Sequence, residues 1–257
     1  MNRIDELFQQ KNKNILSVFF TAGHPNLNDT VEIIQSLERN GVDMIEIGIP
    51  FSDPLADGPV IQKSGLKALS NGMSLKVLFT QLAEIRKTVK IPLLLMGYIN
   101  PVLRFGMDAF CAACEEVGID GIILPDLPFS EYELYYKAVF EKHKLHNILL
   151  ITPQTTSERL SQIDKVASGF IYMVSTSATT GSSKTFSPEV VDYFKRIQSS
   201  NLKNPTIVGF GIKDKETFDL AAQHANGAII GTAFVRALEG DGTIDEKVGA
   251  FIKQVIY

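Results

Sequence analysis

This sequence has few cysteines, and they exclude one class of site. Its 257 residues contain two cysteines, Cys111 and Cys114, with no second pair to complete a four-cysteine zinc site. A reactive C-x-x-C thiol is expected at the start of a helix, where its thiolate is stabilised. Here both lie well inside an amphipathic segment, so we expect buried structural thiols.

Excess positive charge and long apolar runs are also missing. The formal net charge is −4 and no block of Lys and Arg occurs, which argues against a nucleic-acid surface. The longest apolar runs have the length of a strand, too short to cross a membrane. The first residues are charged and lack the apolar region of a secretory signal. We therefore expect a soluble, cytoplasmic protein with an ordinary globular composition.

What the chain does contain is one repeated pattern of strand and helix. Parallel strands covered by helices are typically continuous apolar runs, and eight such runs alternate with amphipathic helical segments after a short N-terminal helix. This pattern predicts an α/β fold, a (β/α)8 TIM barrel formed as a single domain over residues 1–257. A doubly wound open sheet is the alternative. The predicted strands are 15–22, 44–49, 92–98, 121–125, 147–152, 170–175, 205–210 and 227–231.

In such barrels the chemistry lies on loops at the carboxyl ends of the strands. Two of these loops are long here, 50–61 and 176–187, which suggests lids or partner contacts. Glu46 lies inside the second predicted strand, between isoleucines. If Ile45 and Ile47 face the helices, Glu46 points into the barrel, where apolar surroundings would raise its pKa and suit it for proton transfer.

Asp57 follows on the loop, in different surroundings, so the two carboxyl groups can take separate roles. The alternative is a Glu46 that forms a salt bridge in the core, with Asp53 and Asp57 as ordinary turn formers. The residues alone leave both interpretations open. No metal site, Walker loop or G-x-G-x-x-G motif is present.

Glycines cluster near the ends of the last three predicted strands, where barrels often bind phosphate through backbone N–H groups. The set comprises Thr180, Gly181, Gly209, Phe210, Gly211, Gly231 and Thr232. Separately, aromatic side chains on four strands could line a flat apolar ligand or simply fill the core. These are Phe19, Tyr98, Tyr172 and Phe210.

The stretch from Glu46 to Pro59 closely resembles the signature of the tryptophan synthase α subunit family. The resemblance continues in 19–23 (FFTAG), 96–101 (MGYINP), 125–128 (PDLP), 172–181 (YMVSTSATTG) and 209–212 (GFGI). Two positions depart from the usual pattern: Ala178 stands where glycine is common, and Thr232 where serine is common.

This resemblance implies a lyase that cleaves indole-3-glycerol phosphate by retro-aldol chemistry, in the last steps of L-tryptophan biosynthesis. Glu46 would be the acid and base, and Asp57 would accept a hydrogen bond from the indole N–H. No cofactor is implied in this chain. Pyridoxal phosphate would belong to a partner β subunit in an α2β2 tetramer. Asp53 lies four residues before Asp57 on a long loop, so we expect a partner that contacts Asp53 to move Asp57 as well. Two alternatives remain, a phosphate-binding barrel of the sugar-phosphate isomerase type and a non-catalytic regulatory subunit.

Overall fold

The computed structural model describes residues 1–175 and 186–256, and in them the chain forms a parallel sheet curved into a barrel. All eight pairings between neighbouring strand segments in this part of the chain are parallel. The segments are β1 (Ile15–Thr21), β2 (Met44–Gly48), β3 (Leu93–Met96), β4 (Gly121–Ile123), β5 (His146–Asn147), β6 (Leu149–Ile151), β7 (Ile171–Val174), β8 (Thr206–Gly209) and β9 (Gly227–Ile230).

The predicted barrel is confirmed, with one correction at the fifth strand. The apolar run 147–152 forms two short segments: β5 pairs with β4, and β6 pairs with β7. The Ile148 N–H still donates to the Ile122 carbonyl at 2.9 Å, so the chain changes partner at this residue. β5 and β6 are the two edge strands of the sheet. Because Ile148 joins them directly along the chain, the two edges of the sheet meet at this residue.

Helices follow the strands as the periodicity predicted. Ser74 caps the helix Leu75–Leu82 and Asp214 the helix Lys215–His224 by accepting from backbone N–H groups, and Pro188 is the first residue of the helix Pro188–Gln198. A short 3-10 turn covers Ile85–Lys87, and a π-helical segment, Tyr132–Tyr136, links the helical turn Phe129–Glu131 to the helix Lys137–Lys142. The helices are α1 (Arg3–Gln10), α2 (Asp29–Arg39), α3 (Pro59–Ser70), α4 (Leu75–Leu82), α5 (Ile99–Phe105), α6 (Met107–Val117), α7 (Phe129–Glu131), α8 (Lys137–Lys142), α9 (Ser157–Val166), α10 (Pro188–Gln198), α11 (Lys215–His224), α12 (Thr232–Leu238) and α13 (Ile244–Ile256).

Strand alternation divides the core into two layers. Ile45 and Ile47 face outward and pack with the helices, whereas Met44 belongs to the inner cluster. Helix α1 covers the N-terminal end of the barrel, where Ile4 joins that inner cluster and the rings of Phe8 and Phe170 lie 6.0 Å apart. Side chains of α1 therefore fill the N-terminal end of the barrel interior, and the end formed by the carboxyl ends of the strands remains available for a site.

Both cysteines are buried in α6, as expected of structural thiols. Burial raises the pKa of Cys111 to about 12, and that of Cys114 well above the ordinary value. Within residues 1–175 and 186–256, no helix combines the length and the apolar character needed to cross a membrane.

Candidate active site

A cavity opens at the carboxyl ends of the first strands. Its wall includes Phe19 and Thr21 from β1, Gly48 from β2, Met96 from β3, Tyr98, and Asp57 from the loop before α3. These residues come from neighbouring parallel strands, so their ends meet at one mouth.

Glu46 lies one layer deeper, two residues before Gly48 on the same inner face of β2. Its side chain is 0% exposed. The Ser17 hydroxyl donates to Oε1 at 3.2 Å, and Oε2 has no hydrogen-bond partner in the part of the chain that the structure describes. Loss of solvation raises the pKa of this carboxyl to about 8, and the Ser17 hydrogen bond opposes that rise. Glu46 is therefore protonated at neutral pH and can exchange a proton there.

Asp57 is half-buried at the cavity wall, on a loop held by Tyr98. The Ala56 N–H donates to the Tyr98 hydroxyl at 3.0 Å, and the rings of Phe51 and Tyr98 lie 5.2 Å apart. The Gln62 amide donates to the Asp57 carbonyl at 2.8 Å. Burial raises the pKa of Asp57, while a hydrogen bond from Tyr98 lowers it. The loop thus presents a second carboxyl group to the cavity.

Two aromatic rings need glycine opposite them. A Cβ placed on Gly48 would lie 2.5 Å from the Phe19 ring, and one on Gly209 would overlap the Tyr172 hydroxyl. Tyr172 is almost fully buried in the inner cluster. Burial raises its pKa well above the ordinary value, and negative charge on Glu46 and Asp57 adds to that rise. Tyr172 is therefore a neutral phenol near Glu46.

The end of β8 has an unusual backbone. Phe210 and Gly211 both have positive φ, 67° and 74°, a conformation that is costly for an aromatic residue and is often found at functional sites. The Ser175 hydroxyl donates to the Phe210 carbonyl at 2.6 Å, and the rings of Phe210 and Tyr172 lie 6.1 Å apart. This turn stays open to solvent at Gly211.

The predicted site residues fall into groups. Phe19, Asp57 and Tyr98 line the cavity, while Glu46 and Tyr172 lie in the buried interior. The remaining predicted positions do not line this cavity: Phe210 and Gly211 follow β8, Thr232 begins α12, and Asp53 is exposed on the loop. Gly231 precedes α12 and lies against the ring of Phe19, where a Cβ would come within 3.3 Å. Thr180 and Gly181 lie outside the described residues, as does Ala178.

Sequence reasoning missed Ser17. It lies on the inner face of β1, two residues before Phe19, so the alternation that turned Phe19 inward could have found it. In the part of the chain described, no group of three His, Cys, Asp or Glu side chains could hold a metal ion. Glu46 and Asp57 place two carboxyl groups in and below the cavity, and such groups can transfer protons.

Known proteins match the chain along its whole length. A family profile described as "Tryptophan synthase alpha chain" matches residues 6–254. The chain belongs to this family. The tryptophan synthase alpha chain of Flavobacterium psychrophilum is 56% identical over 255 residues, 99% of this chain and 100% of the relative. That of Flavobacterium johnsoniae is 59% identical over 251 residues, 97% and 99% of the two chains.

Solved structures agree with the fold. The tryptophan synthase alpha chain from Legionella pneumophila superimposes with a TM-score of 0.88 at 35% identity, covering 99% of this chain and 96% of that one. A chain of tryptophan synthase from M. tuberculosis in its aminoacrylate-bound form gives a TM-score of 0.85 at 30% identity, covering 99% and 100%. The resemblance to the family is thereby confirmed, and neither alternative function gains support.

Proposed function

We propose that this chain is the lyase subunit that cleaves indole-3-glycerol phosphate to indole and glyceraldehyde 3-phosphate, in the last steps of L-tryptophan biosynthesis in the cytoplasm. The observation that carries the proposal is Glu46, a fully buried carboxyl group with a pKa near 8 beside a cavity at the barrel mouth. A family member needs one such group, able both to give and to take a proton at neutral pH.

The reaction needs two proton transfers. Protonated Glu46 gives its proton to the indole ring carbon that carries the glycerol chain, which makes the ring an electron sink. The carbon–carbon bond then breaks as a proton leaves the glycerol hydroxyl next to it, and that proton returns to Glu46. The ring recovers its aromatic electrons, and the carboxyl group ends as it began.

Asp57 supports the first transfer. Protonation of the ring carbon places positive charge on the ring nitrogen, and a carboxylate that accepts a hydrogen bond from the indole N–H stabilises that charge. Its half-buried position on the cavity wall suits this role, because water weakens the interaction less there. Phe19 and Tyr98 supply apolar faces for the ring in the same cavity.

The phosphate group would bind at the ends of the last strands. We assign it to Gly211, Gly231, Thr232 and the Phe210 turn. Thr180 and Gly181 stay predicted phosphate ligands from the sequence, and Tyr172 and Phe210 stay predicted wall residues for the ring. Gly211 is exposed with positive φ, so its backbone is open to an anion. Inorganic phosphate should then compete with the substrate, and Gly211→Val should raise KM.

We also propose a β subunit as partner, in an α2β2 tetramer, with pyridoxal phosphate bound by the β subunit and no cofactor in this chain. Asp53 is exposed and lies four residues before Asp57 on the same loop. A partner that contacts Asp53 can order this loop and align Asp57. Asp53→Ala should therefore lose most of the stimulation by a β subunit and keep the unaided rate.

A single-turnover experiment tests the lyase assignment. Excess purified chain is mixed with indole-3-glycerol phosphate, and the products are separated and identified. Equal amounts of indole and glyceraldehyde 3-phosphate support the proposal. An isomerised substrate with its carbon–carbon bond intact would favour the isomerase type of barrel. Recovery of unchanged substrate, with and without a β subunit, would favour a non-catalytic subunit.

A further inference from the structure

The parallel register of β1 and β2 brings Ser17 and Glu46 together inside the barrel. Phe19 pairs with Glu46 and Ser17 with Met44, so Ser17 and Glu46 lie on the same inner face, one step apart along it. Both are 0% exposed. The Ser17 hydroxyl donates to Oε1 of Glu46 at 3.2 Å, and no water can replace that donor without opening the interior.

Among the residues that the structure describes, the other groups around Glu46 do not replace this hydrogen bond. Its register partner on β3 is Leu94, which is apolar. From β7 the titratable group near it is Tyr172, a neutral phenol whose pKa is raised by negative charge on Glu46 and, more weakly, by that on Asp57. In the part of the chain that the structure describes, Oε2 has no hydrogen-bond partner. One hydroxyl group therefore determines how this carboxyl group is held.

We propose that Ser17 is the positioning residue for Glu46: its hydroxyl makes Oε1 the accepting oxygen and leaves Oε2 to carry the proton that is transferred. This inference rests on the proposed function only where it speaks of turnover. A protonated carboxyl group has one accepting oxygen and one O–H, so a donor at Oε1 places the proton on Oε2.

The same hydrogen bond supports the charged intermediate. When Glu46 gives up its proton, Ser17 already points at the carboxylate, and the bond becomes charge-assisted and shorter. A donor that is in place before the charge appears needs no reorganisation during the reaction. The indole carbon gains the proton from Oε2, the glycerol hydroxyl later returns one, and Ser17 itself neither gains nor loses a proton.

The test compares Ser17→Ala with wild type in two independent measurements. In the first, the Glu46 carboxyl group is titrated by carbon-13 NMR, with Glu46→Gln used to assign its signal. Loss of the donor should raise its pKa further, because the hydrogen bond favours the ionised form. In the second, steady-state kinetics, kcat should fall about tenfold and KM should stay within twofold of wild type. The alkaline limb of the kcat–pH profile should move to higher pH together with the pKa of the carboxyl group.

Matched variants separate positioning from a merely structural role. Ser36→Ala also removes a fully buried hydroxyl, but one that donates to Asp245 outside the barrel, so it should leave both readouts unchanged. Ser17→Thr keeps a hydroxyl and should restore much of the loss. Ser17→Cys fills the same space with a weaker donor, so it should shift the Glu46 titration in the same direction as Ser17→Ala. It replaces Ser17→Ala in both measurements if that variant does not fold.

The outcomes are distinguishable. A carboxyl titration that is unchanged in both Ser17→Ala and Ser17→Cys would overturn the inference, whatever the activity. Lower stability in Ser17→Ala with an unmoved titration and pH profile would also overturn it, because that is the result of a structural hydroxyl. If wild type does not cleave the substrate, the proposed function fails, while the titration still decides the role of Ser17.

Discussion

Two acidic side chains are buried in this barrel, and their surroundings differ. Asp120, at the N-terminal end of β4, binds Arg3 at 2.9 Å and Arg86 at 2.5 Å, and it accepts the Leu93 N–H at 2.9 Å. Glu46, in the interior below the mouth, has one hydrogen-bond partner within residues 1–175 and 186–256, the Ser17 hydroxyl. Both are at most 3% exposed. Asp120 is therefore paired with two cationic side chains, whereas the partner of Glu46 is a neutral hydroxyl group.

The difference follows the division of labour in a TIM barrel. The N-terminal end serves stability and the opposite end serves chemistry. The carboxylate of Asp120 joins two guanidinium groups and a backbone N–H, and it thereby stabilises the structure at that end. A carboxyl group buried in an apolar interior with a single neutral donor, as Glu46 is here, keeps its proton to a higher pH. Its burial lowers the stability of the fold, but it provides an acid and base near neutral pH.

The largest expected effect is on turnover, when the carboxyl group of Glu46 is removed. Glu46→Gln keeps the shape and deletes the transferable proton, so kcat should fall by roughly 100- to 10,000-fold, the usual range for a general acid or base. KM should stay within a few-fold, because the substrate contacts remain. Steady-state kinetics measure both. Near-normal turnover would remove Glu46 from the mechanism.

The reverse experiment removes the satisfied group. Asp120→Asn takes away the charge that balances Arg86, whose side chain is 16% exposed, and should lower the free energy of unfolding by about 3–5 kcal/mol. Urea unfolding measures the loss, and kcat of the folded protein should stay within twofold. Arg3→Gln, a change at the more exposed partner (39%), should cost about 1 kcal/mol or less. Equal losses in both variants would contradict this account.

The pH dependence of stability gives a third comparison. The folded pKa of Glu46, about 8, lies above its ordinary value of 4.5, so between these pH values the unfolded chain has lost the proton that the folded chain retains. The contribution of Glu46 to stability should therefore fall as pH rises from about 4.5 to 8, by roughly 3–5 kcal/mol. The test is urea unfolding of wild type and Glu46→Gln across this range. If the stability of wild type relative to Glu46→Gln does not fall with rising pH, the raised pKa is refuted.

Strand positions and the inward direction of Glu46 could be predicted, because parallel strands covered by helices are continuous apolar runs and because side chains alternate along them. The Ser17–Glu46 hydrogen bond could not, because it depends on the register between two strands. The partner change at Ile148 was also missed, since both halves of that run are equally apolar. The π-helical segment Tyr132–Tyr136 leaves no recognisable pattern either.

The smallest expected effect concerns Asp57 at the mouth of the barrel, where the Tyr98 hydroxyl is its hydrogen-bond partner. Tyr98→Phe removes the hydroxyl that accepts the Ala56 N–H at 3.0 Å and that hydrogen-bonds Asp57. We expect kcat/KM to fall about five- to tenfold, because the loop loses its anchor and the pKa of Asp57 rises further. The loss in unfolding free energy should be about 1 kcal/mol.

Tyr193→Phe is the matched control for this last change. It removes another buried tyrosine hydroxyl, which donates to the Ile151 carbonyl at 3.2 Å between α10 and β6, away from the cavity wall. Stability should fall by a similar amount, since one buried hydrogen bond is lost in each variant, while kcat/KM should stay within twofold. If both variants reduce kcat/KM equally, the effect of Tyr98 is a general consequence of lower stability, and the hydroxyl has no particular role in holding Asp57.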